Sequence, residues 1–254
     1  MPPTVTFLTD YGLQDEFVGV CHGVIARIAP RARVIDLTHG IPRHDVRAGA
    51  LALRRALPFT PPGAHLAVVD PGVGGPRRGV ALRCGDRFLV GPDNGLLVPA
   101  AADLGGVDEA ADLARSPWRL EPVSATFHGR DVFAPVAARL AAGAPFAKAG
   151  DPLDPAALVA LELPASRREG DALVAHAVAF DTYGNVLLDA RREDVASAAT
   201  VAGRPATLGT TFGDVGRGAL LLYEDASGAL ALAVNQGSAR EELGLELDDE
   251  VRIT

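Results

Sequence analysis

The chain has 254 residues, 48% hydrophobic and 22% charged, which fits one large or two modest globular domains and excludes a disordered or collagen-like chain. Its 24 basic against 32 acidic residues give a net charge of −8. No Lys/Arg run is longer than a pair such as Arg54-Arg55 or Arg77-Arg78, so the concentrated positive charge that a nucleic-acid backbone demands is missing and no nucleic-acid partner is expected.

Residues 5–8 are a β-branched and aromatic run that stops at Thr9-Asp10-Tyr11-Gly12, a buried strand entering a loop. Over residues 16–28, Phe17, Val20, Cys21, Val24, Ile25 and Ile28 recur at three and four, predicting an amphipathic helix closed by Pro30. Residues 33–37 predict a second strand, 46–57 a helix ended by Pro58, and 65–69 a third strand closing on Asp70. Strands alternating with helices at this spacing predict an α/β domain with a mostly parallel sheet.

A Gly/Pro loop follows Asp70, then residues 79–84 and 87–90 pair around Gly85-Asp86 as a hairpin. Pro92-Asp93-Asn94-Gly95 is a turn, and residues 131–140 put Val132, Phe133, Val136 and Leu140 on one helical face. Residues 144–170, with Pro145, Pro152, Pro155 and Pro164, predict an interdomain connection. Beyond it, strand-like runs at 174–180, 186–188, 219–223 and 229–234 predict a smaller, all-β C-terminal domain. The domain boundaries read from these features are 1–160 and 171–254.

Apolar runs break well short of the roughly 20 residues that cross a bilayer, so no membrane partner is expected. Met1-Pro2-Pro3-Thr4 lacks the basic start of a signal peptide, which makes the cytoplasm the expected location. Cys21 and Cys84 fall in a helix and a strand without C-x-x-C spacing and read as reduced core residues.

Asp10 and Asp70 fall at carboxyl ends of strands, where open α/β sheets bind ligands, although either one alone could equally cap a helix or close a turn. The loop Asp70-Pro71-Gly72-Val73-Gly74-Gly75-Pro76-Arg77 matches neither a P-loop nor G-x-G-x-x-G, but it allows close backbone approach between a carboxylate and a guanidinium. His128 precedes a predicted helix, where backbone N–H groups and a titratable ring could meet a substrate. His22, His39, His44, His65 and His176 show no H-x-x-x-H spacing, so no metal is expected.

Phe7-Leu8-Thr9-Asp10-Tyr11-Gly12 with Asp15, Val69-Asp70-Pro71-Gly72-Val73-Gly74 with Arg77, Gly91-Pro92-Asp93-Asn94-Gly95-Leu96-Leu97, Phe127-His128-Gly129-Arg130-Asp131, Asp181 through Gly184-Asn185, and Val234-Asn235-Gln236-Gly237-Ser238-Ala239 stand in order along nearly the whole chain. As a set they resemble the S-adenosyl-L-methionine hydroxide adenosyltransferase family, relatives of the fluorinases and chlorinases. The resemblance implies an enzyme that hydrolyses S-adenosyl-L-methionine at the ribose 5′ carbon, giving adenosine and L-methionine without a cofactor. It further implies a homotrimer with active sites between subunits, and a barrel-like C-terminal β domain.

By the same resemblance Asp70, Arg77 and His128 bind and orient the attacking water, with the proton acceptor among them left open. Asp10 holds the ribose hydroxyls, Asp15 and Asp181 face the methionine ammonium, and Ser227 its carboxylate. Asn185 reads adenine, Phe212 stacks on it, and the backbone around Asn235, Ser238 and Ala239 completes the pocket. Halide-using members carry an aromatic or hydroxyl residue at the position of Asp70 and Ser at that of Gly129, and fluorinases an aromatic at His44. A carboxylate at position 70 would repel a halide, so water is the expected nucleophile. The rivals are a halide-using adenosyltransferase and a non-catalytic adenosine or S-adenosylmethionine binding protein.

Overall fold

A computed structural model describes residues 2–196 and 200–254. The chain divides into two compact units, Met1–Leu161 and Glu162–Thr254.

In the first unit, β1 (Thr4–Thr9) is wholly buried and pairs in parallel with β2 (Arg33–Thr38) and β3 (Ala64–Val68). Between them run α1 (Phe17–Ile28) and α2 (Val46–Ala56), the latter started by Asp45, whose carboxylate accepts the Ala48 N–H. That side chain satisfies one of the free donors of the first turn. Then come β4 (Gly79–Cys84), β5 (Arg87–Pro92), α3 (Val98–Asp103), β6 (Glu109–Asp112), α4 (Ala134–Ala141) and β7 (Asp151–Leu153). The sheet order is β2-β1-β3-β5-β4-β6-β7. Val5 and Phe7 of β1 join α1 and α4 in one core, and Leu8 joins α2 and α3 in a second. The sheet is therefore covered by helices on both faces.

The sheet is mixed rather than mostly parallel. β2, β1, β3 and β5 are parallel neighbours, whereas β4, β6 and β7 enter antiparallel. The reason is the Gly85-Asp86 turn, with Gly85 at φ 60: a two-residue hairpin can only reverse the chain. Part of the expected connection belongs to this sheet, because β7 adds an edge strand containing Pro152, whose missing N–H is tolerated at an edge. Cys21 and Cys84 are free and buried, and burial raises their thiols to about 12 and about 11.

The helix expected from residue 131 begins earlier, with a wide π turn over Gly129–Phe133 that runs into α4. Pro135 lacks the N–H that a regular turn would use there, which favours the wider turn.

The second unit contains β8 (Arg167–Glu169), β9 (Ala172–Phe180), β10 (Val186–Leu188), β11 (Thr200–Val201), β12 (Arg204–Pro205), β13 (Thr207–Leu208), β14 (Leu220–Glu224), β15 (Leu230–Val234), α5 (Ala239–Leu243) and β16 (Glu250–Ile253). It is mainly, not purely, β, since Ser238 caps the short α5 by accepting the Glu241 N–H. The strand path runs β12-β11-β16-β9-β10-β15-β14-β13, with β8 beside β9. Its two end strands are separated in sequence by Ala206 alone, so the sheet curls back toward its own start, nearly a barrel. Among the described residues no helix is long and apolar enough to cross a membrane.

Candidate active site

The carboxyl ends of β1 and β3 deliver Asp10 and, two residues past β3, Asp70. The Asn94 amide donates to the Val69 carbonyl at 2.9 Å, which ties the turn after β5 to the residue carrying Asp70 forward. The glycine-rich loop then returns Arg77 onto Asp70. Arg77 Nε donates to Asp70 Oδ1 at 2.8 Å, and Nη2 donates to Oδ2. This fork is largely shielded, with the two side chains 13% and 6% exposed, where a bidentate charged pair is strong.

The loop reaches the segment before His128 because residue 74 is glycine. Gly74 has φ +75, and a Cβ there would lie 2.3 Å from the Ala125 carbonyl oxygen, so no other residue permits this approach. Arg77 Nη2 then donates to His128 Nδ1 at 2.9 Å. Its guanidinium also lies over the Phe133 ring at 5.4 Å. Asp131, almost fully buried, accepts both arms of Arg130 and the Ser124 N–H at 2.8 Å, fixing the loop on either side of His128. Partial burial of His128, reinforced by the Arg77 charge and opposed by Asp70 and Asp131, lowers its pKa below the usual histidine value.

The sequence motifs contain Tyr11 without a role and Gly129 only as a position where halide-using relatives carry Ser. A Cβ on Gly129 would lie 2.2 Å from Tyr11 Oη, so the phenol occupies the space a side chain at 129 would take. Burial holds that phenol protonated, with the charges of Asp10 and Asp70 adding to it and Arg77 opposing. Tyr11 thus stands within the field of both strand-end carboxylates. Asp10 itself accepts the His44 N–H at 2.9 Å, with His44 held at φ 68. Lone pairs on both Asp10 oxygens stay open for two hydroxyl donors. Asp15 is exposed on the loop after β1.

The remaining expected site residues lie in the second unit. Asp181 Oδ1 accepts the Tyr183 and Asn185 N–H groups at 2.8 and 2.9 Å, and Oδ2 accepts the Asn185 amide at 2.7 Å. Asn185 is buried and retains its carbonyl oxygen and one amide hydrogen. Asp181, Gly184 and Ser238 line a cleft of about 480 Å³ with Tyr183 and Arg240. Ala239 is fully buried, and Asn235 donates to the Val215 carbonyl at 2.7 Å. Phe212 is 48% exposed and meets Tyr223 edge-on at 5.4 Å. Ser227 is committed to its own turn, since its hydroxyl donates to the Asp225 carboxylate at 2.7 Å and its N–H does so at 2.8 Å.

These features define an α/β unit with a carboxylate, guanidinium and imidazole in series at its strand ends, followed by a β unit with a polar cleft. Residues 5–150 match the SAM hydroxide adenosyltransferase N-terminal domain, and residues 175–252 the C-terminal domain of the same name. The chain belongs to the SAM hydroxide adenosyltransferase family. It is 52% identical to an (R)-S-adenosyl-L-methionine hydrolase of Salinispora tropica, over 99% of this chain and 98% of that one. A fluorinase of Actinopolyspora mzabensis is 28% identical, over 99% and 97%. A crystal structure of an uncharacterized conserved protein from Thermotoga maritima matches with a TM-score of 0.90 at 35% identity, covering 98% of this chain and 99% of that one.

Proposed function

We propose that this protein is an enzyme that hydrolyses S-adenosyl-L-methionine to adenosine and L-methionine, and that Asp70, Arg77 and His128 hold the attacking water. The observation that carries the reading is the Asp70–Arg77–His128 chain in a member of this family 52% identical to an S-adenosyl-L-methionine hydrolase.

The water oxygen bonds to the ribose 5′ carbon as the carbon–sulfur bond breaks, and the electron pair of that bond neutralises the sulfonium. Methionine leaves as a thioether that needs no proton, so the protein must only align the water and take one of its protons. A guanidinium only donates. His128 Nδ1 is therefore the acceptor in its contact with Arg77, and the neutral ring carries its hydrogen on Nε2. That leaves His128 without an open lone pair, whereas each Asp70 oxygen accepts one Arg77 hydrogen and keeps another lone pair. Asp70 is thus the group that takes the water proton, Arg77 fixes its plane, and His128 anchors Arg77. A sulfonium leaving group calls on no cofactor.

Asp10 takes the two ribose hydroxyls, and Asp15 and Asp181 face the methionine ammonium. Asn185 reads adenine with its free carbonyl and amide hydrogen, Phe212 offers the stacking face, and Asn235, Ser238 and Ala239 complete the adenine pocket. Ser227 is left out of the methionine carboxylate contacts, because both its donors are spent on Asp225. The assembly is a homotrimer in the cytoplasm, with the smaller domain of a neighbouring copy supplying adenine and methionine contacts.

The test is incubation of the purified protein with S-adenosyl-L-methionine in buffers with and without fluoride and chloride, followed by chromatography. Adenosine and methionine in equal amounts, independent of halide, support the proposal. Intact substrate would replace it with a binding role, and 5′-halogenated deoxyadenosine with halide transfer.

A further inference from the structure

A second group of chemistry-bearing side chains lies apart from the Asp70 chain. His22 on α1, Asp36 on β2 and His39 just past β2 bring their ligand atoms within 4.8 Å of one another. His22 Nε2 donates to Asp36 Oδ1 at 2.9 Å. His39 Nε2 lies 3.1 Å from the same oxygen, and the His39 side chain is 3% exposed. That contact does not close a hydrogen bond, so His39 Nε2 is a buried polar atom without a hydrogen-bond partner among the described residues. Natural structures rarely leave such an atom unsatisfied.

We propose that His22, Asp36 and His39 form a binding site for a divalent first-row transition ion such as Zn²⁺. Metal–ligand bonds of about 2.0–2.2 Å to imidazole nitrogen and carboxylate oxygen place neighbouring ligand atoms about 3 Å apart, the separation these nitrogens keep from Asp36 Oδ1. Two imidazoles and one carboxylate suit such ions better than Mg²⁺ or Ca²⁺.

The surroundings fix both rings. Phe7, fully buried, meets His39 edge-on at 4.9 Å and His22 at 5.9 Å. His39 Nδ1 lies 2.9 Å from Thr9 Oγ1, so with the ion on Nε2 the ring hydrogen moves to Nδ1 and donates to that hydroxyl, a supporting contact typical of metal-bound histidine. His22 and Asp36 are 36% and 43% exposed, which gives the ion an entry path and room for water ligands. The ion would pin α1 and β2 to Thr9, the residue before Asp10.

The spacing hid this site. Asp36 and His39 are three residues apart but His22 comes from α1, so no complete metal motif stands in one short stretch.

The test is titration of chelator-treated full-length protein with cobalt(II) chloride, followed by visible absorption, with zinc(II) chloride as competitor and thermal unfolding as a second readout. The variants are His22→Gln and Asp36→Asn, both solvent-accessible and so expected to keep the fold, which circular dichroism checks. One equivalent of cobalt displaced by zinc, a raised unfolding temperature with metal, and affinity about tenfold or more weaker in either variant support the site. No binding by the parent protein, or binding in both variants as tight as in the parent, overturns it whatever the outcome for hydrolysis.

Discussion

Arg77 Nη2 and His128 Nδ1 stand 2.9 Å apart, and because a guanidinium has no acceptor this one contact fixes both the tautomer of His128 and its role. The ring is an acceptor toward Arg77 and so holds the arginine fork against Asp70. The roles of the three residues separate accordingly.

Asp70→Asn keeps the shape but removes the charge that accepts the water proton, and it should lower kcat by about 10²–10⁴ with little change in KM. His128→Asn, whose amide oxygen can still accept from Arg77, should cost only about tenfold. Steady-state kinetics of both variants checks the order. A larger loss in His128→Asn would return the base role to the imidazole.

Protonating His128 turns its Nδ1 into a donor facing Arg77 and breaks the contact. Because burial and Arg77 lower its pKa, kcat/KM should hold steady down to a pH below the ordinary histidine value of about 6.5 and then fall. That acid limb should vanish in His128→Asn. A pH–rate profile of the two proteins decides this.

Gly129→Ala places a methyl group 2.2 Å from Tyr11 Oη and 3.2 Å from Cζ, so it should destabilise the fold by about 1–3 kcal/mol. Tyr11→Phe removes the nearer atom. Urea unfolding of both single variants and the double variant should show strong coupling, the double variant being more stable than the sum of the singles allows. Additive losses would mean that Tyr11 and Gly129 do not share this space.

His65, fully buried in β3, lies 2.9 Å from Thr6 Oγ1 and 3.2 Å from Arg87 Nη1. Burial, with Arg87 adding, pushes its pKa down to about 3. Between about 6.5 and about 3 the unfolded chain binds a proton that the folded one does not, so stability rises with pH there. It is fully present above about 6.5 and falls by up to about 1.4 kcal/mol per pH unit on acidification. Denaturant unfolding at pH 7 and pH 5 should show a steeper loss in the parent than in His65→Gln.

The parts of the fold legible in the sequence were those with strong periodicity or sharp punctuation. Of the stripe expected along α1, Cys21, Val24 and Ile25 are buried, whereas Phe17 is 38% exposed and Val18 takes the buried place in the first turn, and Gly85-Asp86 turns the β4–β5 hairpin. Short elements of weak local signal were missed: α3 opens on Val98-Pro99 and continues in alanine, and β6 and β7 are edge-side strands whose pairing comes from the sheet they join. At the candidate site the motifs flagged Asp70, Arg77 and His128, which the structure brings together, because each sits in a distinctive local pattern. Tyr11 against Gly129, and His22 beside Asp36, depend on how separate elements approach each other, which no local pattern records.

The most direct test is single-turnover reaction with S-adenosyl-L-methionine in water enriched in oxygen-18, with mass spectrometry of both products, beside Asp70→Asn. The account predicts one label on the 5′ oxygen of adenosine, unlabelled methionine, and a rate that collapses in the variant. Label recovered in the amino-acid product with release of 5′-methylthioadenosine, or an unchanged rate in Asp70→Asn, would contradict it.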